Sequence, residues 1–137
     1  MAKQQIRTSN IAEPSGHFSQ AIAVEGKGRL VFVSGMTARR ADGTIAGIGD
    51  IEEQTRQVCE NIKSAVEAAG GSMDDVCRLD VYLRNIGDRE RVNKVRQKYF
   101  RGTPPASTLV EVTKLVSPEM LVEISAIALI PNGPNEP

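Results

Sequence analysis

Between Ile51 and Ala69 the apolar and small residues Ile51, Thr55, Val58, Cys59, Ile62, Ala65, Val66 and Ala69 recur at spacings of three and four. Positions so spaced share one face of a helix with 3.6 residues per turn, so the segment predicts an amphipathic α-helix. Asp50, with Glu53 three residues on, makes a capping-box-like start in which the Asp50 side chain accepts an amide of the first turn. Gly70-Gly71 supplies the stop. Glu52, Glu53, Arg56, Glu60, Lys63 and Glu67 fall mainly on the remaining face, where they keep the helix wet.

A period of two marks the strands. Cys77, Leu79, Val81 and Leu83 alternate with Arg78, Asp80 and Tyr82, a half-buried strand with one polar face. Leu121 to Ile130 predicts the last strand, with Glu123 and Ser125 on one face and Val122, Ile124 and Ala126 on the other. Phe18 to Val24 and the run Leu30-Val31-Phe32-Val33, joined by the turn Gly26-Lys27-Gly28, predict a hairpin. The Asp42-Gly43 turn precedes a short extra strand at Thr44 to Ile48. Asp88 caps a second helix running to about Phe100, with Val92, Val95 and Tyr99 inward and the basic residues on a solvated face. Gly102-Thr103-Pro104-Pro105 breaks the chain before a strand from Thr108 to Thr113. The order ββ(β)αβαββ implies an α+β two-layer sandwich, a mixed six-stranded sheet with both helices on one face. The other face, with Arg78, Asp80 and Tyr82, is left to solvent or to another subunit.

Composition narrows the partners. The chain has 137 residues and seventeen Lys+Arg against seventeen Asp+Glu, a net charge of zero. That length suits one domain, expected over 11–130, between a flexible polar N-terminus at 1–10 and a flexible Pro/Gly-rich tail at 131–137. Zero net charge with 4% aromatics and no Trp argues against nucleic acid as partner. Cys59 and Cys77 have no CxxC spacing, and there is a single His, so neither a metal nor another cofactor is expected and both thiols read as reduced packing residues. With no apolar stretch in 1–10 and no run of eighteen apolar residues, a cytoplasmic location without membrane association is expected.

Several segments, in order and spacing, resemble the Rid family, the reactive intermediate deaminases also called the YjgF family. They are Gly16-His17-Phe18-Ser19-Gln20, Val33-Ser34-Gly35, the run from Asp50 to Gln57, Glu60-Asn61-Ile62-Lys63, Glu67-Ala68-Ala69-Gly70, Pro104 to Val112, and Val122 to Ala128. The resemblance implies a chorismate-mutase-like subunit assembled as a homotrimer, with ligand clefts between neighbours and no cofactor. It implies hydrolysis of imines and enamines of small 2-keto acids, in which a strand arginine binds carboxylate, a glutamate of the last strand positions water and a tyrosine lines the wall. Ser107 stands at the arginine place, Ser125 at the glutamate place, and Gly16-His17-Phe18 at the Gly-Pro-Tyr place. The chain thus resembles an arginine-lacking subgroup.

The expectation is a Rid-type hydrolase of a small metabolite with a C=N bond, other than the usual 2-iminopropionate. Ser107 and Ser125 orient substrate and water, and Phe18, Ser34, Gly35, Arg39, Asn93 and Leu109 bind substrate. The alternative is a noncatalytic ligand-binding or regulatory trimer. Arg39 and Arg40 either swing a guanidinium into the cleft or stay in a solvated loop beside Asp42. His17 is either a general base near neutrality or a surface residue. Glu111 and Glu123 either hold water or pair with Arg78 or Arg84 of a neighbour.

Overall fold

A computed structural model describes residues 2–132. Six strands and two helices follow in the order β1 (Ala2–Ile6), β2 (Ala21–Glu25), β3 (Gly28–Met36), α1 (Ile51–Ala68), β4 (Val76–Leu83), α2 (Arg89–Tyr99), β5 (Ala106–Glu111) and β6 (Val122–Pro131). The strands do not form one sheet. Four make a mixed sheet in the order β3-β6-β4-β5, while β1 and β2 form a separate antiparallel pair. The expected hairpin of the two first apolar runs is therefore replaced. β2 pairs with β1, and β3 pairs with β6 from Gly28↔Pro131 to Met36↔Ile124.

The strand β1 lies within the polar segment 1–10. Its residues are too polar to order by apolar burial, but its ladder with β2 satisfies the backbone, and Lys3 Nζ donates to the carbonyls of Asp74 (3.0 Å), Val76 (2.8 Å) and Thr103 (3.4 Å). At the other end Pro131 closes β6, and residues 133–137 of the expected tail lie outside the described residues. The short strand expected at Thr44 to Ile48 reduces to one bridge, Arg39↔Ile45, because Gly43, Gly47 and Gly49 take positive φ and turn the chain out of an extended path.

The helix α1 begins where the capping residue predicted: Asp50 Oδ1 accepts from Glu53 N at 3.1 Å. It ends in a Schellman motif, with Gly70 at φ 93°, Gly71 N bonded to Val66 O at 3.0 Å and Gly70 N to Glu67 O at 2.9 Å. Its Val58, Cys59, Ile62 and Val66 are fully buried in the cluster that holds Leu79, Val81 and Leu83 of β4, Ile124, Ala126 and Ala128 of β6, and Val92 of α2. Truncating one such residue, Leu79→Ala, costs about 2–5 kcal/mol. The β4 alternation starts one residue away from the expected place: a bulge between Val76 and Arg78 buries Val76 and leaves Cys77 half-buried. The uncovered face exposes Leu30 and Phe32.

Because β4 and β5 run parallel, the chain between them has to cross over, and α2 is the crossover. That connection sets the inner stripe of α2 against the start of β5.

Candidate functional site

A cavity of about 290 Å³ lies where α2, β5 and the 15–18 segment meet, lined by Ser15, Gly16, Phe18, Ile86, Arg89, Asn93, Arg96, Ser107 and Leu109. Arg89, Asn93 and Arg96 stand four and three residues apart, one stripe of the helix. The 15–18 segment is tied down at both ends. Ser19 N donates to Pro105 O at 3.1 Å and its hydroxyl to Pro104 O, while Arg89 Nη2 donates to Ser15 O at 2.8 Å and Ser15 Oγ at 2.7 Å. Gly16 permits this approach, since a Cβ there would sit 3.0 Å from Asn93 Nδ2 and 3.2 Å from Arg89 Nη2.

Arg96 is 1% exposed. Its Nη1 donates to Asn93 Oδ1 at 3.3 Å and its Nη2 to His17 O at 3.2 Å, while its buried Nε has no partner. Among the described residues no carboxylate lies within ion-pair distance of Arg96. Burial pushes its pKa down to about 10, so the guanidinium remains charged at neutrality. An unpaired buried ion carries a penalty of about several kcal/mol after relaxation. The Ser107 hydroxyl, lining the same cavity, is likewise buried and without a partner.

A second cavity, about 420 Å³, is lined by Gly35, Tyr82, Val112, Lys114, Leu115, Glu123 and Ser125. It opens on the other side of the sheet. In register, Ser107 lies beside Leu79 and Ala126, whereas Ser125 lies beside Asp80 and hence Thr108, so the two serines point to opposite faces. Gly35 sits in a β3 bulge between Val33 and Met36, and a Cβ there would come 2.9 Å from Glu123 Cδ and 3.2 Å from Cγ. The missing side chain is what lets the Glu123 carboxylate lie over the bulge.

The predicted site residues thus divide. Phe18, Asn93, Ser107 and Leu109 share the first cavity, and Gly35 and Ser125 share the second. Ser34 is exposed and lines neither. Arg39 and Arg40 stay in an exposed loop outside both, with the Arg39 carbonyl held by Asn61 Nδ2 at 2.8 Å and Arg40 Nη1 donating to Thr44 Oγ1 at 3.1 Å. His17 Nε2 lies 2.8 Å from Phe100 O, which only accepts, so this nitrogen carries the proton and the ring fastens the end of α2. Glu111 Oε1 accepts from Ile86 N at 3.1 Å, and Arg78 is paired within its own chain, to Asp80 Oδ1 at 2.8 Å.

A larger groove of about 950 Å³ runs along α1 and α2 and shares no residue with either cavity. Its lining carries both signs, with Arg56 paired to Glu53 at 2.6 Å, and among the described residues it contains none of the buried side-chain polar atoms left without a partner. Arg89 and Arg96 were hidden in the reading of α2 as a solvated basic face. The signal for Arg96 is its place between Val92, Val95 and Tyr99, at helical spacing with the buried stripe.

Two layers, a crossover helix against a strand start and a cavity at their junction define a small α+β subunit. The Ribonuc_L-PSP family, described as Endoribonuclease L-PSP, matches residues 8–130. A RutC family protein of Pyrococcus abyssi is 41% identical over 128 residues, 93% of this chain and 98% of its own length. Another, of Saccharolobus solfataricus, is 41% identical over 126 residues, 92% of this chain and 97% of its own. A crystal structure of YyfB, of the conserved Rid protein family, from Yersinia pestis has a TM-score of 0.85 at 30% identity, covering 95% of this chain and all of that one (100%). The chain belongs to the Rid (YjgF) family.

Proposed function

We propose that the chain is a Rid-type hydrolase of small metabolites bearing a C=N bond, of the subgroup without the strand arginine, working as a homotrimer. The observation that carries this reading is the Ser107 hydroxyl, buried without a partner in a cavity whose other walls include Phe18, Asn93 and Leu109. A neighbour's Gly35, Glu123 and Ser125 complete the site across the uncovered sheet face. Water adds to the imine carbon and the nitrogen takes a proton; the carbinolamine then collapses to a ketone or 2-keto acid and ammonia. Such a step needs chiefly orientation of water and substrate, which Ser107 and Ser125 supply. A cavity of about 290 Å³ and a net charge of zero favour a small molecule over RNA.

Ammonia release from imines generated in place by an amino-acid oxidase tests the reading. The wild type accelerates release over the spontaneous rate and Ser107→Ala loses most of that acceleration; sedimentation at micromolar concentration gives about three times 14.8 kDa. Release at the spontaneous rate, or a monomer, refutes it. One observation favours the second reading, a ligand-binding trimer without turnover: the first cavity has neither carboxylate nor imidazole in its lining. Tight retention of a ligand with no turnover decides for that reading.

A further inference from the structure

The geometry points to Arg96 as the cation that binds a substrate carboxylate in the Ser107 cavity, a role the strand position does not fill. This inference rests on the Ser107 cavity being the substrate site. Two donors there are unmet, Arg96 Nε and Ser107 Oγ, and both are buried. A carboxylate accepts from both donors and also supplies the negative charge that the buried guanidinium lacks, whereas a neutral carbonyl accepts without that charge. The rest of the guanidinium is already committed: Asn93 Oδ1 and the His17 carbonyl hold Nη1 and Nη2, fixing the orientation of the plane while leaving Nε unmet. At 1% exposure Arg96 has no bulk water to turn to.

The remaining walls define the rest of the ligand. Phe18, Ile86 and Leu109 are apolar, and the volume of about 290 Å³ falls at the small end of ligand cavities, about 300–1,000 Å³. These walls fit a substrate with one carboxylate and a short apolar body. Arg89, tethered to Ser15, adds positive potential and has no carboxylate partner among the described residues.

The test is calorimetric binding of 2-oxobutanoate, the keto-acid product of such a substrate, beside its uncharged primary amide. The wild-type protein binds the acid at least ten-fold more tightly than the amide. Arg96→Gln, with an unchanged circular dichroism spectrum, abolishes that preference, Ser107→Ala weakens acid binding several-fold, and Arg40→Gln leaves it unchanged. Equal binding of acid and amide by the wild type, no binding of the acid, or an Arg96→Gln protein that keeps the preference overturns the inference. If Arg96→Gln does not fold, Arg96→Lys keeps a charge but removes Nε, and full retention of acid binding in that variant also overturns it. Binding is read without turnover, so acid-selective binding with no ammonia release sinks only the hydrolase reading. Ammonia release with charge-blind binding sinks only this one.

Discussion

Gln54 is the buried polar residue whose loss has the most readable consequence. It is fully buried on α1, its Nε2 donates to Glu119 O at 2.7 Å and its Oε1 accepts from Leu121 N at 2.8 Å. One amide therefore ties the helix to the residues that lead into β6, the strand carrying Glu123 and Ser125. Gln54→Leu removes both bonds at once. A buried polar group left without a partner costs about 1–3 kcal/mol, and the exposed Glu119 recovers a water for its carbonyl, so the expected loss is about 2–4 kcal/mol, most of it from the Leu121 amide. Urea unfolding at fixed protein concentration reads this as a lower midpoint with an unchanged slope. Gln54→Glu sharpens the test. The ionised carboxylate still accepts from Leu121 N but opposes the Glu119 carbonyl, and protonation restores a donor. Burial and that carbonyl raise the folded pKa above the unfolded one, so the variant is closest to wild type below the unfolded pKa and loses stability as pH rises through the folded pKa. A Gln54→Leu protein within about 0.5 kcal/mol of wild type, the scatter of ordinary surface substitutions, refutes the reasoning, as does a Gln54→Glu deficit that ignores pH.

Three further outcomes are expected. The Tyr99 phenol donates to Glu60 Oε2 at 2.6 Å, and burial followed by that carboxylate pushes its pKa from 10.0 up to about 12. The stabilisation from the neutral form is complete below the unfolded value and lost as pH rises toward 12, and Tyr99→Phe removes both that loss and an absorbance step near pH 12; an unchanged titration contradicts the assignment. Burial pushes the Cys59 thiol up to about 12 and raises Cys77 as well, so a thiol reagent at pH 8 reacts slowly with native protein and with both in urea, whereas immediate reaction of both native thiols goes against it. Gly35→Ala meets only the end of a flexible side chain, so melting changes little while the Glu123 carboxylate is displaced. Ammonia release then falls about ten-fold or more, equivalent to about 1.4 kcal/mol in the barrier, and full activity removes Glu123 from the site.

Local periodicity made α1 legible, from the Asp50 cap to the Gly70 stop, because each signal lies within a few residues of the bond it predicts. The inward alternation of β6 was legible for the same reason. Pairing was not: β1 is polar, and its order comes from β2 and from Lys3 reaching carbonyls more than seventy residues away. The same limit divided the site. Alternation says that Ser107 shares a face with Leu109 and Ser125 with Glu123, but only the register through Leu79 and Asp80 shows those faces to be opposite. Arg39 follows Ser34-Gly35 closely in sequence, yet the chain after Met36 turns toward Asn61 of α1 and carries it away. Arg96 occupied an apolar stripe that a search for apolar residues passes over.

The parallel crossover has a consequence for ancestry. Since α2 is obliged to lie against the start of β5, a residue on its inner stripe and the residue at position 107 are two addresses in one compartment. A positive charge can be gained on the helix and then lost from the strand, and the cavity is never neutral along that path. The fold does not change either, because both are side-chain substitutions and the β4–β5 ladder at Leu79↔Ser107 is made by backbone groups. A strand residue read alone therefore says nothing about the charge of this compartment, because the neighbouring helix also writes to it.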